Sequence, residues 1–210
     1  YVVDPEGCGH IFGNPAGGFM SLICFSNGSL AREKVKEQCG VSWTRFDVEA
    51  CKETRPGNEG RLMLPYFEVE NTPLVLSPGV RLNFDPDAAT DAQKIRAIFE
   101  SQALTMRLHT AWLGEKFSRI RVTGGASKSI GLRRILADVF NARIETISVT
   151  NSAGLGAAMR AANAIADIDL QSLANQFCAT VEAVDPDPEN VPVYDSMLEK
   201  NAELERSARA

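Results

Sequence analysis

The chain has 210 residues, 44% of them hydrophobic, and its 22 Lys and Arg against 27 Asp and Glu leave a net charge of -5. Such a chain can bury one substantial core, with or without an appended helical tail, and without a Lys/Arg cluster interleaved with aromatics it lacks the electrostatic footprint of a nucleic-acid binder. The five cysteines, Cys8, Cys24, Cys39, Cys51 and Cys178, form no CxxC pair and only His10 and His109 join them, so neither a disulfide framework nor a protein-held transition metal is expected.

No charged-then-apolar leader opens the chain, and the longest apolar stretches are short or interrupted, as Arg160 interrupts 153–166; a soluble protein of the reducing cytoplasm, with no membrane partner, is the expectation. Residues 19–25 form a continuous, aromatic-rich apolar run that reads as a buried strand. Asn27-Gly28-Ser29 then supplies a turn, with Ser29 as the cap of a helix beginning near Leu30. A second helix is predicted over 44–53, with Phe46, Val48, Ala50 and Cys51 as core candidates. Between 54 and 86, Pro56, Gly57, Pro65, Pro73, Pro78, Gly79 and Pro86 predict loops and short strands such as 62–64. From 91 to 116, Ile95, Ile98, Phe99, Ala103, Met106, Leu108 and Leu113 recur at helical spacing, and Thr90 or Asp91 caps one long helix. A strand at 119–123, a helix over 128–140, a strand at 144–149 and a helix over 152–166 follow. The last helix, over 193–207, comes after the Pro-rich Asp185-Pro186-Asp187-Pro188. Strands alternating with helices predict an α/β fold, with a largely parallel sheet covered on both faces.

The functional clue is Gly124-Gly125-Ala126-Ser127, which joins the apolar strand Ile120-Arg121-Val122 to a helix. At such a junction an α/β protein offers backbone amides to phosphate or nucleotide, although glycines also serve tight turns and close helix packing. Gly125 lets a base or ribose lie against its backbone, and Gly124 frees the turn that presents it. Trp43 offers an indole face for stacking a purine, or else anchors a loop; Trp112 reads as packing. Ala153-Gly154-Leu155-Gly156-Ala157-Ala158 has no Lys for a phosphate loop, and its small residues suit close packing of a helix on the sheet. No G-x-G-x-x-G opens a helix, which disfavours a dinucleotide-dependent oxidoreductase.

Three stretches, 122–129, 135–142 and 151–158, resemble the carboxy-terminal part of the FGGY carbohydrate kinases, most of all their xylulokinase branch. Gly9-His10-Ile11-Phe12-Gly13-Asn14-Pro15 and the stretch 22–33 add a second match in the same order, so the resemblance runs from about 9 to 204 and is loose only over 55–86. It implies an actin-like ATPase (ribonuclease-H-like) domain, a mixed and mostly parallel sheet lacking its first strands. Residues 1–210 would be a partial carboxy-terminal kinase domain, with 185–210 as its helical tail. It further implies ATP, Mg²⁺ held mainly through the ATP phosphates, and, in the complete enzyme, D-xylulose phosphorylated to D-xylulose 5-phosphate beside a missing amino-terminal sugar-binding domain. By the same resemblance Gly124, Gly125 and Ala126 belong to the adenosine-binding segment, and Trp43 stands where a Trp lies against the nucleotide. Ser129 replaces an Asn that hydrogen-bonds the adenine, and its shorter hydroxyl reaches less far.

Gly13-Asn14-Pro15-Ala16 is similar to the Gly-Asp-Asn-Pro that carries the family's catalytic Asp, but lacks the Asp. With no Ser-Leu-Gly-Thr-Ser phosphate loop either, no catalytic residue is expected in this chain and the chain alone is expected to be inactive. An open strand edge at 19–25 predicts self-association, a homodimer among its forms. The other reading is a noncatalytic nucleotide-binding or assembly module of the same fold.

Overall fold

A computed structural model describes residues 2–149 and 151–209, the side chains of 49–51 excepted. The chain first turns back on itself at Asn14, so that β1 (Gly9–Gly13) pairs antiparallel with β2 (Phe19–Ile23) in a two-stranded ribbon. The apolar run 19–25 expected to form a buried strand is instead exposed at Phe19, Met20 and Leu22, as is Phe12 on the partner strand. The reason is geometric: a ribbon of two strands has two open faces and cannot cover its own side chains. Trp112 pins the ribbon, its indole so close that a Cβ on Gly9 would stand 2.5 Å from the ring. Only glycine admits that approach, which makes Trp112 the packing residue its sequence suggested.

α1 (Ser29–Gln38) is preceded by Gly28, and no side chain caps it, so Ser29 is not the cap expected. The turn before it is held from outside instead. Glu70 accepts from the amides of Ser26 and Asn27 at 2.6 and 3.0 Å, and Gln102 Nε2 donates to the carbonyls of Asn27 and Gly28 at 2.8 and 3.1 Å. α2 (Trp43–Lys52) is capped by Ser42, whose Oγ accepts from Arg45 N at 3.2 Å. Phe46 enters the core and Val48 stays exposed; the side chains of the other two core candidates, Ala50 and Cys51, lie outside what is described.

Within 54–86, β3 (Met63–Tyr66) pairs antiparallel with β4 (Gly79–Leu82). α3 (Asp91–Thr110) starts at a capping box, Thr90 Oγ1 accepting from Gln93 N at 3.3 Å and Gln93 Oε1 from Thr90 N at 3.0 Å. It ends earlier than position 116 because a 3-10 turn at Ala111–Leu113 follows and Gly114, at φ 69°, redirects the chain. Every residue from 95 to 105 is buried. Polar groups on such a helix must find partners inside the protein. Glu100 Oε1 accepts from Arg96 Nε at 2.8 Å, and from Gly57 N and Tyr194 OH at 2.9 Å each, while Ser101 Oγ accepts from Met63 N at 2.9 Å.

β5 (Arg119–Val122) is followed by α4 (Ile130–Phe140), and β6 (Arg143–Ile147) returns parallel to β5 as expected. Two helices, α5 (Ser152–Ala166) and α6 (Leu170–Phe177), then precede β7 (Thr180–Val184), which pairs antiparallel with β6. The expectation of a mostly parallel sheet is thus corrected: of the four strand pairs among the described residues, only β5 with β6 is parallel. One intervening helix returns a strand in its original direction, and a second helix reverses it again. α6 and β7 went unread, although Asp169 caps Ser172 N at 2.9 Å and Leu170, Leu173, Ala174 and Phe177 keep helical spacing.

Among the described residues, helices do not pack closely on both faces of the β5-β6-β7 sheet either. α4 packs on β6 and β7, whereas exposed Arg119 and Arg121 reach Glu145 at 3.9 and 3.4 Å on the sheet. α5 does not use its glycines to approach the sheet: none of its residues is buried, a Cβ on Gly156 would meet nothing within 4 Å, and the helix lies against α6. α7 (Val191–Arg209) completes the core, placing Tyr194 and Met197 among the buried residues of α1 to α4 and β3.

Replacing Glu100 with Ala should lower stability by about 3–5 kcal/mol, because it strips a fully buried acceptor from Arg96, Gly57 and Tyr194. Urea unfolding at an unchanged m-value measures this; a loss below about 1 kcal/mol, the worth of an ordinary net hydrogen bond, would contradict it.

Candidate functional site

Gly124 adopts φ 74°, ψ -161°, which L side chains rarely reach, and swings the chain from β5 into a 3-10 turn at Gly125–Lys128. α4 therefore begins at Ile130 rather than 128, with Ser129 as its cap. Ser129 Oγ accepts from Leu132 N at 3.1 Å and donates to Asp47 on α2. The same Asp47 carboxylate accepts from Ile130 N and Gly131 N, each at 2.9 Å. A carboxylate at the positive end of a helix is a favourable placement. It also means that α4 does not hold its first amides open for a phosphate, contrary to the simplest expectation for a strand-to-helix junction.

Joining α2 to α4 in this way leaves a cleft of about 580 Å³, within the range of small-molecule sites. Its walls include Trp43, Phe46, Phe99, Gly125, Ala126 and Ile130. Of the residues singled out from the sequence, Trp43, Gly125, Ala126 and Ser129 line this one cleft; Gly124 is not part of the lining and acts by shaping the turn. Trp43 is 52% exposed, packs its ring edgewise on Phe46 at 5.6 Å, and carries the Lys36 ammonium 5.4 Å from its centroid. Phe46 in turn meets Phe99 at 5.2 Å, which ties the cleft wall to the core. A Cβ built on Gly125 would meet nothing within 4 Å, and its φ is not in the left-handed region. Neither packing nor backbone geometry therefore requires a glycine there; what it keeps clear is the cleft.

Asp47 and Arg32 are among the cleft residues that the sequence did not single out. Asp47 stands 82 positions from Ser129, too far for any local spacing to connect them. Arg32 did leave a signal, since helical periodicity places it on the face of α1 that buries Ala31 and Val35.

Residues 17–165 match the model of the "FGGY family of carbohydrate kinases, C-terminal domain". The chain belongs to the FGGY family of carbohydrate kinases. Xylulose kinase of Rattus norvegicus is 36% identical to it over 210 residues, an alignment that covers 94% of this chain and 39% of the rat protein. The FGGY chain thus spans about two fifths of the length of such relatives. Among solved structures, ligand-bound xylulose kinase from Lactobacillus acidophilus matches with a TM-score of 0.87 at 19% identity, and gluconate kinase from the same organism with 0.87 at 20%. Each match covers 99% of this chain and 44% of the other. At these identities the likeness establishes the fold, the actin-like ATPase fold of the FGGY sugar kinases. Among the described residues of this FGGY chain, no group of three or more His, Cys, Asp or Glu is placed to hold a metal ion, and no helix is long and apolar enough to cross a membrane.

Asp47→Ala should cost about 0.5–2 kcal/mol, the range for loss of a helix cap, since it frees the Ile130 and Gly131 amides together. Urea denaturation of the variant at unchanged m reports it; an unmoved midpoint would show that Asp47 does not hold α4 in place.

Proposed function

We propose that this chain forms the nucleotide side of the cleft in an ATP-dependent sugar kinase that converts D-xylulose to D-xylulose 5-phosphate. The observation that carries the reading is Gly125, a glycine that neither packing nor backbone conformation demands, on the wall of an aromatic cleft. A purine set against Trp43 and Phe46 buries a flat apolar surface, and a ribose can lie over Gly125 and Ala126 only where no side chain intervenes. Ser129 has its hydroxyl proton committed to Asp47. It is left to accept, as from the exocyclic amino group of adenine, where the family's Asn would both donate and accept. A divalent cation, Mg²⁺, would travel on the ATP phosphates and water.

The acceptor sugar is inferred from the relatives, which are named xylulose kinases at 34–36% identity. The sugar contacts, the base that takes the proton from the 5-hydroxyl and the clamp on the transferred phosphoryl group fall to the remaining length of such an enzyme. Asp47 is unsuited to that base role, because both of its oxygens already accept hydrogen bonds from α4 and its cap. In this reading 1–210 is the carboxy-terminal kinase domain and 185–210 its helical tail.

Gly125→Val adds a branched side chain on the cleft wall, starting from a Cβ with no protein atom within 4 Å, so ATP affinity should fall by roughly tenfold to a hundredfold, about 1–3 kcal/mol. Folding stability should stay within about 0.5 kcal/mol of the parent, as for other surface changes. Calorimetric titration with ATP, paired with thermal melting, separates the two; equal affinities would overturn the reading.

A further inference from the structure

α1 turns a charge inward and an aliphatic side chain outward: Arg32 is 7% exposed while Leu30 beside it is 68% exposed. The Arg32 guanidinium makes one hydrogen bond, from Nη1 to Gln102 Oε1 at 2.7 Å, and no carboxylate pairs with it among the described residues. Gln102 is neutral and is itself fixed by the Asn27 and Gly28 carbonyls. The other two buried arginines are compensated, Arg96 by Glu100 at 2.8 Å and Arg133 by Glu182 at 2.6 Å. Desolvation alone pulls the Arg32 guanidinium down to about 10, the mark of a buried charge without a counter-ion, which is strongly unfavourable in a folded protein. Arg32 also lines the cleft. Of the carboxylates there, Asp47 is taken up by α4 and its cap, and Glu33 forms no ion pair with Arg32.

We propose that Arg32 is the anion contact of the cleft, pairing with a phosphate of the bound nucleotide. The proposal rests on the nucleotide reading above. The incoming phosphate supplies the counter-charge that the fold withholds, and it meets guanidinium nitrogens that no protein group uses. The first turn of α4 cannot take this part, since Asp47 already closes it. Apolar walls then hold the nucleoside while Arg32 sets the preference for its phosphorylated forms. The same residue is a liability to the empty protein and an asset to the complex.

Adenosine and ADP are titrated into the parent chain, Arg32→Met and Arg32→Lys, and each protein is melted without ligand. The parent should bind ADP at least about tenfold more tightly than adenosine. In Arg32→Met that advantage should collapse while adenosine affinity stays within about twofold, and Arg32→Lys should keep part of it. Ligand-free Arg32→Met should melt higher than the parent, because an uncompensated buried charge has gone; an arginine of purely structural use would give a lower melt. An ADP-to-adenosine ratio unchanged in Arg32→Met overturns the assignment of Arg32. If the parent binds neither adenosine nor ADP, the nucleotide reading itself falls.

Discussion

A helix with a buried run must find partners for its polar groups in the elements around it, and α3 is such a helix over 95–105. Those partners set the arrangement of the rest. Glu100 fixes the loop at Gly57 and the start of α7 through Tyr194, and Ser101 fixes β3 through Met63. Thr105 donates to Glu205 at 2.6 Å and accepts from Asn201 at 3.1 Å, while His109 stands 2.9 Å from the second Glu205 oxygen, so both ends of α7 are tied to one cylinder. Gln102 holds the turn ahead of α1 and presents its amide oxygen to Arg32. The cleft inherits its geometry from this helix, since Phe99 and the Arg32 partner both belong to it.

Asp47 supplies the second constraint. By spanning from α2 to the first turn of α4, it brings Trp43 and Phe46 to face the Gly125 turn, and it neutralises the helix end that would otherwise attract an anion. One carboxylate answers the α4 dipole, and the buried positive charge on the cleft wall is Arg32 of α1, with Lys128 of the Gly125–Lys128 turn also in the lining.

What the sequence made legible follows the range of the interactions concerned. The cap at Thr90, one of the two offered, the periodicity of α3 and the Gly124 turn are local, and each lies where the residues indicated. The direction of β7 depends on α6, an eight-residue helix whose apolar positions fall in a stretch with no flanking glycine or proline to mark it. The exposure of Phe19 and Met20 depends on what lies beside the ribbon, to which an apolar run is indifferent. Asp47 and Ser129 meet only because α2 and α4 both pack on α3, and no spacing rule connects them. Arg32 is the intermediate case: its place on the apolar face of α1 was readable, but the missing counter-ion becomes visible only in three dimensions.

On the reading proposed above, the cleft bounded by α1, α2 and the Gly124 turn receives a nucleotide. Amide and side-chain NMR of the chain during titration with ADP tests it directly. The Gly125 and Ala126 amides, the Trp43 indole and the Arg32 Nε–H should shift along one saturable curve, with the exposed ribbon of β1 and β2 unmoved. Saturable shifts confined to residues outside the cleft, or none at ADP concentrations of several millimolar, well beyond an affinity of about 1 mM, would contradict it.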